Sequence, residues 1–249
     1  MPTPTLEHTV ILVACLLAAS AFFERAGATA LKQVLRLGTN CTTGAKAARA
    51  YLKKQGIRGK VRIKIDKNSV TDRFDMSSST LYLTPLSQSS YSLYCYYNAL
   101  RQSICAKRYV NHRVWTSIWT SLVMLSRALP ILTVANLLVV MLGGPGALLT
   151  ASVVLIIEYA VIVLANTARE ASISRELIDI SRNSQALEGE SLNAAIAYGR
   201  AIDFSECSSA WITVREIVCL PLRIAGDYAK TKRKHPSDAE ATGRWNDVG

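Results

Sequence analysis

Residues 128–165 read ALPILTVANLLVVMLGGPGALLTASVVLIIEYAVIVLA, two apolar runs (128–142 and 147–165) on either side of Gly143-Gly144-Pro145-Gly146. A turn this tight between runs this apolar suits a helical hairpin. At about 1.5 Å of rise per residue, the second run nearly crosses a hydrocarbon core of about 30 Å. Pro130 sits in the first turn of the first arm, where no intrahelical hydrogen bond is lost. Just upstream, residues 114–126 read as an amphipathic interfacial stretch, with Trp115 and Trp119 at headgroup depth. Arg127 then marks a membrane boundary, where it snorkels to phosphate or pairs with a carboxylate at a protein contact. Glu158 is the ionisable side chain within the runs, and such a residue is a candidate functional site. The spans hold no Asp, Lys or His to complete a relay. The preferred reading is therefore a protonated or hydrogen-bonded Glu158 facing the hairpin partner or another subunit.

Farther out, residues 9–23 form a third run without a charge. Its length also fits the core of a signal peptide, and Ala26-Gly27-Ala28 resembles a cleavage site. Residues 1–8 carry Glu7 and no Lys or Arg, which favours an uncleaved anchor. Charge orients the three spans. Residues 24–113 hold 17 Lys plus Arg against 4 Asp plus Glu, a balance of +13, whereas residues 166–249 hold 11 against 12. The positive-inside rule places 24–113 and the carboxyl tail on the inner side, with the amino terminus and the Gly-Pro turn outside.

Composition agrees with this organisation. Half of the 249 residues are hydrophobic, the net charge is +11 and the mean hydropathy is +0.19. Apolar residues bunched into blocks argue against a purely soluble enzyme, and their abundance argues against dominant disorder. The six cysteines include no Cys-x-x-Cys pair, and His8, His112 and His235 are far apart. A metal site needing two nearby imidazoles is excluded. Cys95 and Cys105 are ten apart on one candidate helix and cannot pair within it; Cys207 and Cys219 read as packing residues. Asn40-Cys41-Thr42 fits the glycosylation pattern but falls on the inner side.

Between the first and second blocks, residues 43–55 read as a helix with Ala45, Ala48, Tyr51 and Leu52 on one face, stopped by Gly56. Val61, Ile63 and Ile65 alternate with Arg62, Lys64 and Asp66, the pattern of a half-buried strand. A second strand is expected at 80–84 after a polar turn, and helices at 91–109, 170–181 and 187–201. The chain divides into an anchor (1–24), a basic lobe (25–113), an interfacial helix with the hairpin (114–165), a helical pair (166–220) and a polar tail (221–249), in which 230–235 is a solvated run.

This order of elements resembles the membrane-embedded neutral zinc metallopeptidases of bacteria, the YugP-like family, over residues 43–205. Thr43-Gly44-Ala45 with Ala48-Arg49 and Leu52 is similar to the family's opening helix. Asp75 followed by Thr80-Leu81-Tyr82-Leu83-Thr84-Pro85 resembles its strand and turn. Ser174-Arg175 with Leu177, Arg182 and Asn183 is similar to the stretch after its last span. The resemblance implies an α+β membrane protein with three transmembrane helices, an N-terminal anchor plus a hairpin, and a small inner-side lobe of metallopeptidase-like topology. That family binds zinc through a helical His-Glu-x-x-His and a later Glu. The register places the motif on Arg101, Gln102 and Cys105, with Glu170 as the surviving third ligand. A guanidinium replaces one imidazole, and Gln102 cannot take a proton from water. The resemblance thus implies a degenerate member with no catalytic residue, no metal and no cofactor.

Arg58, Lys60, Arg62 and Lys64 form a candidate phosphate stripe along one side of the first strand. Anionic phospholipid of the cardiolipin kind, or an acidic protein, is the expected partner, ahead of RNA. The functional expectation is a structural accessory subunit of a large membrane complex, of respiratory-chain or ATP-synthase type, in the mitochondrial inner membrane. Its lobe and carboxyl terminus would face the matrix, and a bacterial inner membrane is the alternative setting. A pseudo-peptidase regulator of substrates or of an active protease is a second reading. It expects a groove beside Arg101 and Glu170, closed by an ion pair between them. A basic, membrane-anchored subunit contacting RNA or the ribosome is a third.

Overall fold

A computed structural model of the chain describes residues 5–40, 42–204 and 211–216. Cys41, Cys207, Cys219 and the tail at 221–249 lie outside the described residues. Helix α1 spans Leu6–Arg36, α2 Gly44–Lys54, and strands β1, β2 and β3 span Arg62–Ile65, Arg73–Asp75 and Thr80–Leu83. Then come α3 (Pro85–Ser89), α4 (Leu93–Asn111), α5 (Arg113–Ser126), α6 (Leu129–Met141), α7 (Ala147–Asn183) and α8 (Gly189–Asp203). Three helical stretches are long and apolar enough to cross a membrane: Leu6–Arg36, Arg113–Met141 and Ala147–Asn183.

The first of these outlasts the apolar run that announced it. Thr5 caps its start, and the helix passes Glu24, Arg25 and Gly27 before ending at Arg36. Ala26, Ala28, Ala30 and Leu31 are strong helix formers, and the single Gly27 costs only about 1 kcal/mol. Ala30 and Val34 are buried on the lobe, which holds the extension in place. Glu24 accepts from Arg215 at 2.7 Å. The Ala26-Gly27-Ala28 stretch is therefore mid-helix.

The second stretch joins the helix expected at the interface to the first arm of the hairpin. The two residues between α5 and α6, Arg127 and Ala128, keep right-handed helical backbone, so Arg113–Met141 runs as one 29-residue apolar unit. Pro130 falls in the first turn of α6, where no hydrogen bond within that helix is lost. Trp119 is not simply a headgroup anchor, because its indole N–H donates to Asn166 Oδ1 at 3.0 Å and ties α5 to α7. Trp115 stays exposed and stacks on Trp119. Arg127 lies between α5 and α6 and has a partner in the fold.

The lobe follows the sequence pattern closely. Thr43 caps α2, whose buried face carries Ala45, Ala48, Tyr51 and Leu52. Gly56 ends it with φ +67°, a backbone that favours glycine. The sheet has the order β1-β3-β2, with β1 parallel to β3 (Arg62 beside Thr80) and β2 antiparallel to it (Phe74 beside Leu81). Strand β2 was not expected. It offers one apolar side chain, Phe74, and so has no readable alternation. What fixes it lies around it: the Asp75 carboxylate accepts from the Ser77 amide and from the hydroxyls of Ser77 and Ser78 at 2.6–2.9 Å. Buried Asp72 accepts from the Thr84 amide and the Ser87 hydroxyl, both at 2.6 Å, and fastens the start of β2 to α3.

Two cores result. The larger gathers α2, the sheet, α4, the lobe end of α7 and the start of α8 around Leu52, Leu81, Tyr96, Leu100 and Leu177. The smaller lies at the level of the apolar helices, around Val13, Leu137, Ile156, Tyr159 and Trp211. Helix α7 joins them. Its 37 residues make a rod of roughly 55 Å that leads from the hairpin turn into the lobe.

Candidate functional site

Where α7 enters the lobe it meets α4, and the chain's polar side chains converge there. Helix α4 is held by apolar faces toward α2 and α7, so its remaining positions can project toward the seam between them. Arg101 extends to α7 and donates from Nη2 to Glu170 Oε2 at 2.6 Å. The two side chains are 20% and 14% exposed, so this is a largely buried ion pair. Cys105 lies one helical turn after Arg101 on the same face.

The structure thus brings Arg101, Cys105 and Glu170 together across sixty-nine residues of separation. Gln102 stands apart. Its Oε1 accepts from the Phe74 amide at 3.2 Å, which turns the side chain toward β2.

The electrostatics follow from burial. Burial works to lower the Arg101 guanidinium, but the balance stands above its ordinary value, with the attraction and hydrogen bond of the Glu170 carboxylate opposing the burial. Burial pushes the Cys105 thiol up, with Arg101 acting against it. A protonated thiol is a poor nucleophile and a poor ligand. Arg101 Nε is buried with no hydrogen-bond partner among the described residues. A guanidinium has five donors and no lone pair to give, so it can only neutralise Glu170, never share a metal with it. Among the described residues no group of three or more His, Cys, Asp or Glu side chains is arranged to hold a metal ion.

Flanking contacts continue the seam. Glu176 accepts from the Tyr51 hydroxyl at 2.6 Å and from Lys107 Nζ at 2.7 Å, with Arg108 at 3.7 Å. Ser174 donates to Asp203 Oδ1 at 2.7 Å and meets the Tyr97 hydroxyl at 3.1 Å. Burial raises Tyr97 to about 12 and pushes the Asp203 carboxyl up. Tyr51, Glu176, Lys107 and Asp203 carry no motif, because their partners are distant in sequence and the contacts exist only once α2, α4, α7 and α8 meet.

A cavity of about 360 Å³ opens between α2 and the lobe end of α7, lined by Lys46, Tyr51, Lys54, Leu100, Ile180 and Asn183. It reaches neither Arg101 nor Glu170. The basic stripe is also rearranged. Arg62 and Lys64 stand exposed on β1, at the edge of the sheet, but Arg58 and Lys60 sit in the preceding turn and not on the strand. Lys46, Arg49, Lys53 and Lys54 are exposed along α2 and enlarge the basic surface. Glu158 is exposed on α7, so the expected contact with the hairpin partner is not made. Asn40 donates through its side-chain amide to the Gln185 carbonyl at 3.4 Å.

In comparisons with family models, with curated proteins and with solved structures, nothing matches this chain.

Proposed function

We propose that this chain is a non-catalytic integral membrane protein that serves as a structural accessory subunit of a large membrane complex. The observation that carries the reading is the Arg101–Glu170 pair. The polar centre of the lobe is filled by a cation and an anion that pair with each other, burial pushes the neighbouring Cys105 thiol up, and the described residues hold no group of three or more metal-ligating side chains. Such a pair holds helices in register; it does no chemistry. Broad apolar faces on the long helices support the same reading, since Ile11, Phe22, Ile118, Leu125, Leu138 and Leu164 are all exposed. Faces of this kind call for lipid or other chains.

In the setting we favour, the mitochondrial inner membrane beside respiratory-chain or ATP-synthase subunits, the +13 lobe and the carboxyl terminus face the matrix. The basic surface of α2 and β1 then meets anionic phospholipid or an acidic subunit. A pseudo-peptidase regulator would also carry this ion pair between Arg101 and Glu170, and it is the exposed apolar faces of the long helices that favour the structural role.

The test is complementation in cells that lack the chain. The variant carrying both Arg101→Leu and Glu170→Leu keeps the shape without the charges, and replacing a buried pair by apolar residues is often neutral. It should support assembly and growth as the wild type does. Normal assembly with lost activity would overturn the non-catalytic reading.

A further inference from the structure

Helix α7 buries one face and exposes another, and the exposed one has an order of its own. Ser152, Ile156, Tyr159, Val163 and Asn166 turn inward. Ala151, Val154, Glu158, Val161, Ala165 and Ala168 turn outward, at alternating spacings of three and four residues. That is the spacing of a helix–helix seam, and its three alanines allow another backbone to come close. Glu158 sits in the middle of it, about 10 Å of helix rise from the nearer end of the apolar run. Its carboxylate has no partner among the described residues. A carboxylate facing hydrocarbon without a counter-charge is costly, and such groups are found paired.

Among the described residues nothing supplies the counter-charge. The apolar runs of α1 and α6 carry none, and Arg127 already has a partner. A second copy docking through the same seam would set Glu158 against Glu158, like against like. We propose that residues 151–168 of α7 are the docking seam for a transmembrane helix of a different polypeptide, which presents a lysine or arginine to Glu158. This rests on the reading of the chain as a subunit of a membrane assembly, and it adds the chemistry of one neighbour.

The test uses the full-length chain in its own membrane, with a benzophenone side chain at Val161 in the seam or at inward-facing Val163 as the control. The Val161 probe should cross-link one defined polypeptide and the Val163 probe none. Glu158→Leu should cut that adduct about tenfold, as expected when one member of a buried charged pair is lost. Because leucine favours insertion, resistance to carbonate extraction should be unchanged, so a loss cannot be blamed on failure to insert. Glu158→Asp should keep the adduct. Glu158→Lys should lose it, and replacing the basic residue of the cross-linked helix by glutamate should restore it.

Adducts to lipid alone or to a second copy, or indifference to Glu158→Leu, would overturn the proposal. If the wild-type chain still migrates in a large species in that case, the subunit reading stands and only the seam is lost. If it migrates alone, both fail.

Discussion

At the scale of single residues, Arg101 decides the character of the site. A side chain at this depth on α4 has Glu170 in reach, and a permanent cation there makes an ion pair where a polarisable ligand would make a metal site. The pair has a mechanical signature. Arg101→Met leaves Glu170 buried without a counter-charge and should cost about 3 kcal/mol. In detergent this lowers the melting temperature by roughly 6–12 °C. Changing both residues to leucine should recover most of the loss. Asp72 provides a pH-dependent counterpart. Burial raises its carboxyl above the ordinary 3.8, against the hydrogen bonds from Ser87 and Thr84. The ionised form is therefore disfavoured in the folded state, and its contribution to stability is fully present below 3.8 and lost as pH rises through the raised value. The difference in melting temperature between wild type and Asp72→Asn should shift against the wild type across that interval and then level off. A constant difference from acid to neutral pH would mean that Asp72 is not raised. The grouping of Arg101, Gln102, Cys105 and Glu170 was what the metallopeptidase resemblance implied; the one-turn spacing of Arg101 and Cys105 is legible by itself, whereas Glu170, sixty-nine residues on, is not. The sequence offered no hint that Gln102 turns to Phe74, because that depends on a strand too short to read.

At the scale of elements, legibility tracked pattern length. Helix α2 was readable from its buried face, its Thr43 cap and its Gly56 stop. Strand β1 was readable from three alternating pairs. Strand β2 was not, with a single apolar residue in three. The ends of α1 were misjudged because hydropathy stops at Phe23 whereas helix propensity continues to Arg36. The junction of α5 with α6 was legible from Arg127 and Pro130, although the two residues between the helices keep right-handed helical backbone. The crossing of α2 over α4 supplies a direct check on the lobe. A Cβ on Gly44 would come within 2.6 Å of the Cys95 carbonyl and 3.0 Å of Ala99 Cβ, so neither helix has room to yield. Gly44→Ala should cost about 1–3 kcal/mol by overpacking, although alanine is the better helix former. A stabilised Gly44→Ala protein would show that the two helices are not this close.

At the scale of the molecule, two properties stand out: three bilayer-length apolar helices and a lobe of strongly positive charge. Both were readable from composition along the chain, because charge-free runs and charge imbalance need no tertiary contact to be seen. What covers the apolar faces was not readable, since a surface does not encode its partner as a motif. The basic surface predicts lipid dependence. The purified chain in vesicles containing cardiolipin should be more thermostable than in neutral vesicles at low salt, and the gain should shrink as salt screens it. Neutralising Arg58, Lys60, Arg62 and Lys64 together should remove most of that gain; an unchanged gain would place the lipid contact elsewhere.

The central claim is that the chain works as a structural member of a large membrane assembly. The most direct measurement is purification of the tagged full-length chain in a gentle detergent, sizing on a native gel, and mass spectrometry of the species that carries it. The structural reading predicts one defined high-mass species in which this chain and several other membrane polypeptides are present in fixed stoichiometry. Recovery as a small species, or with a single protease as its only companion, would contradict it.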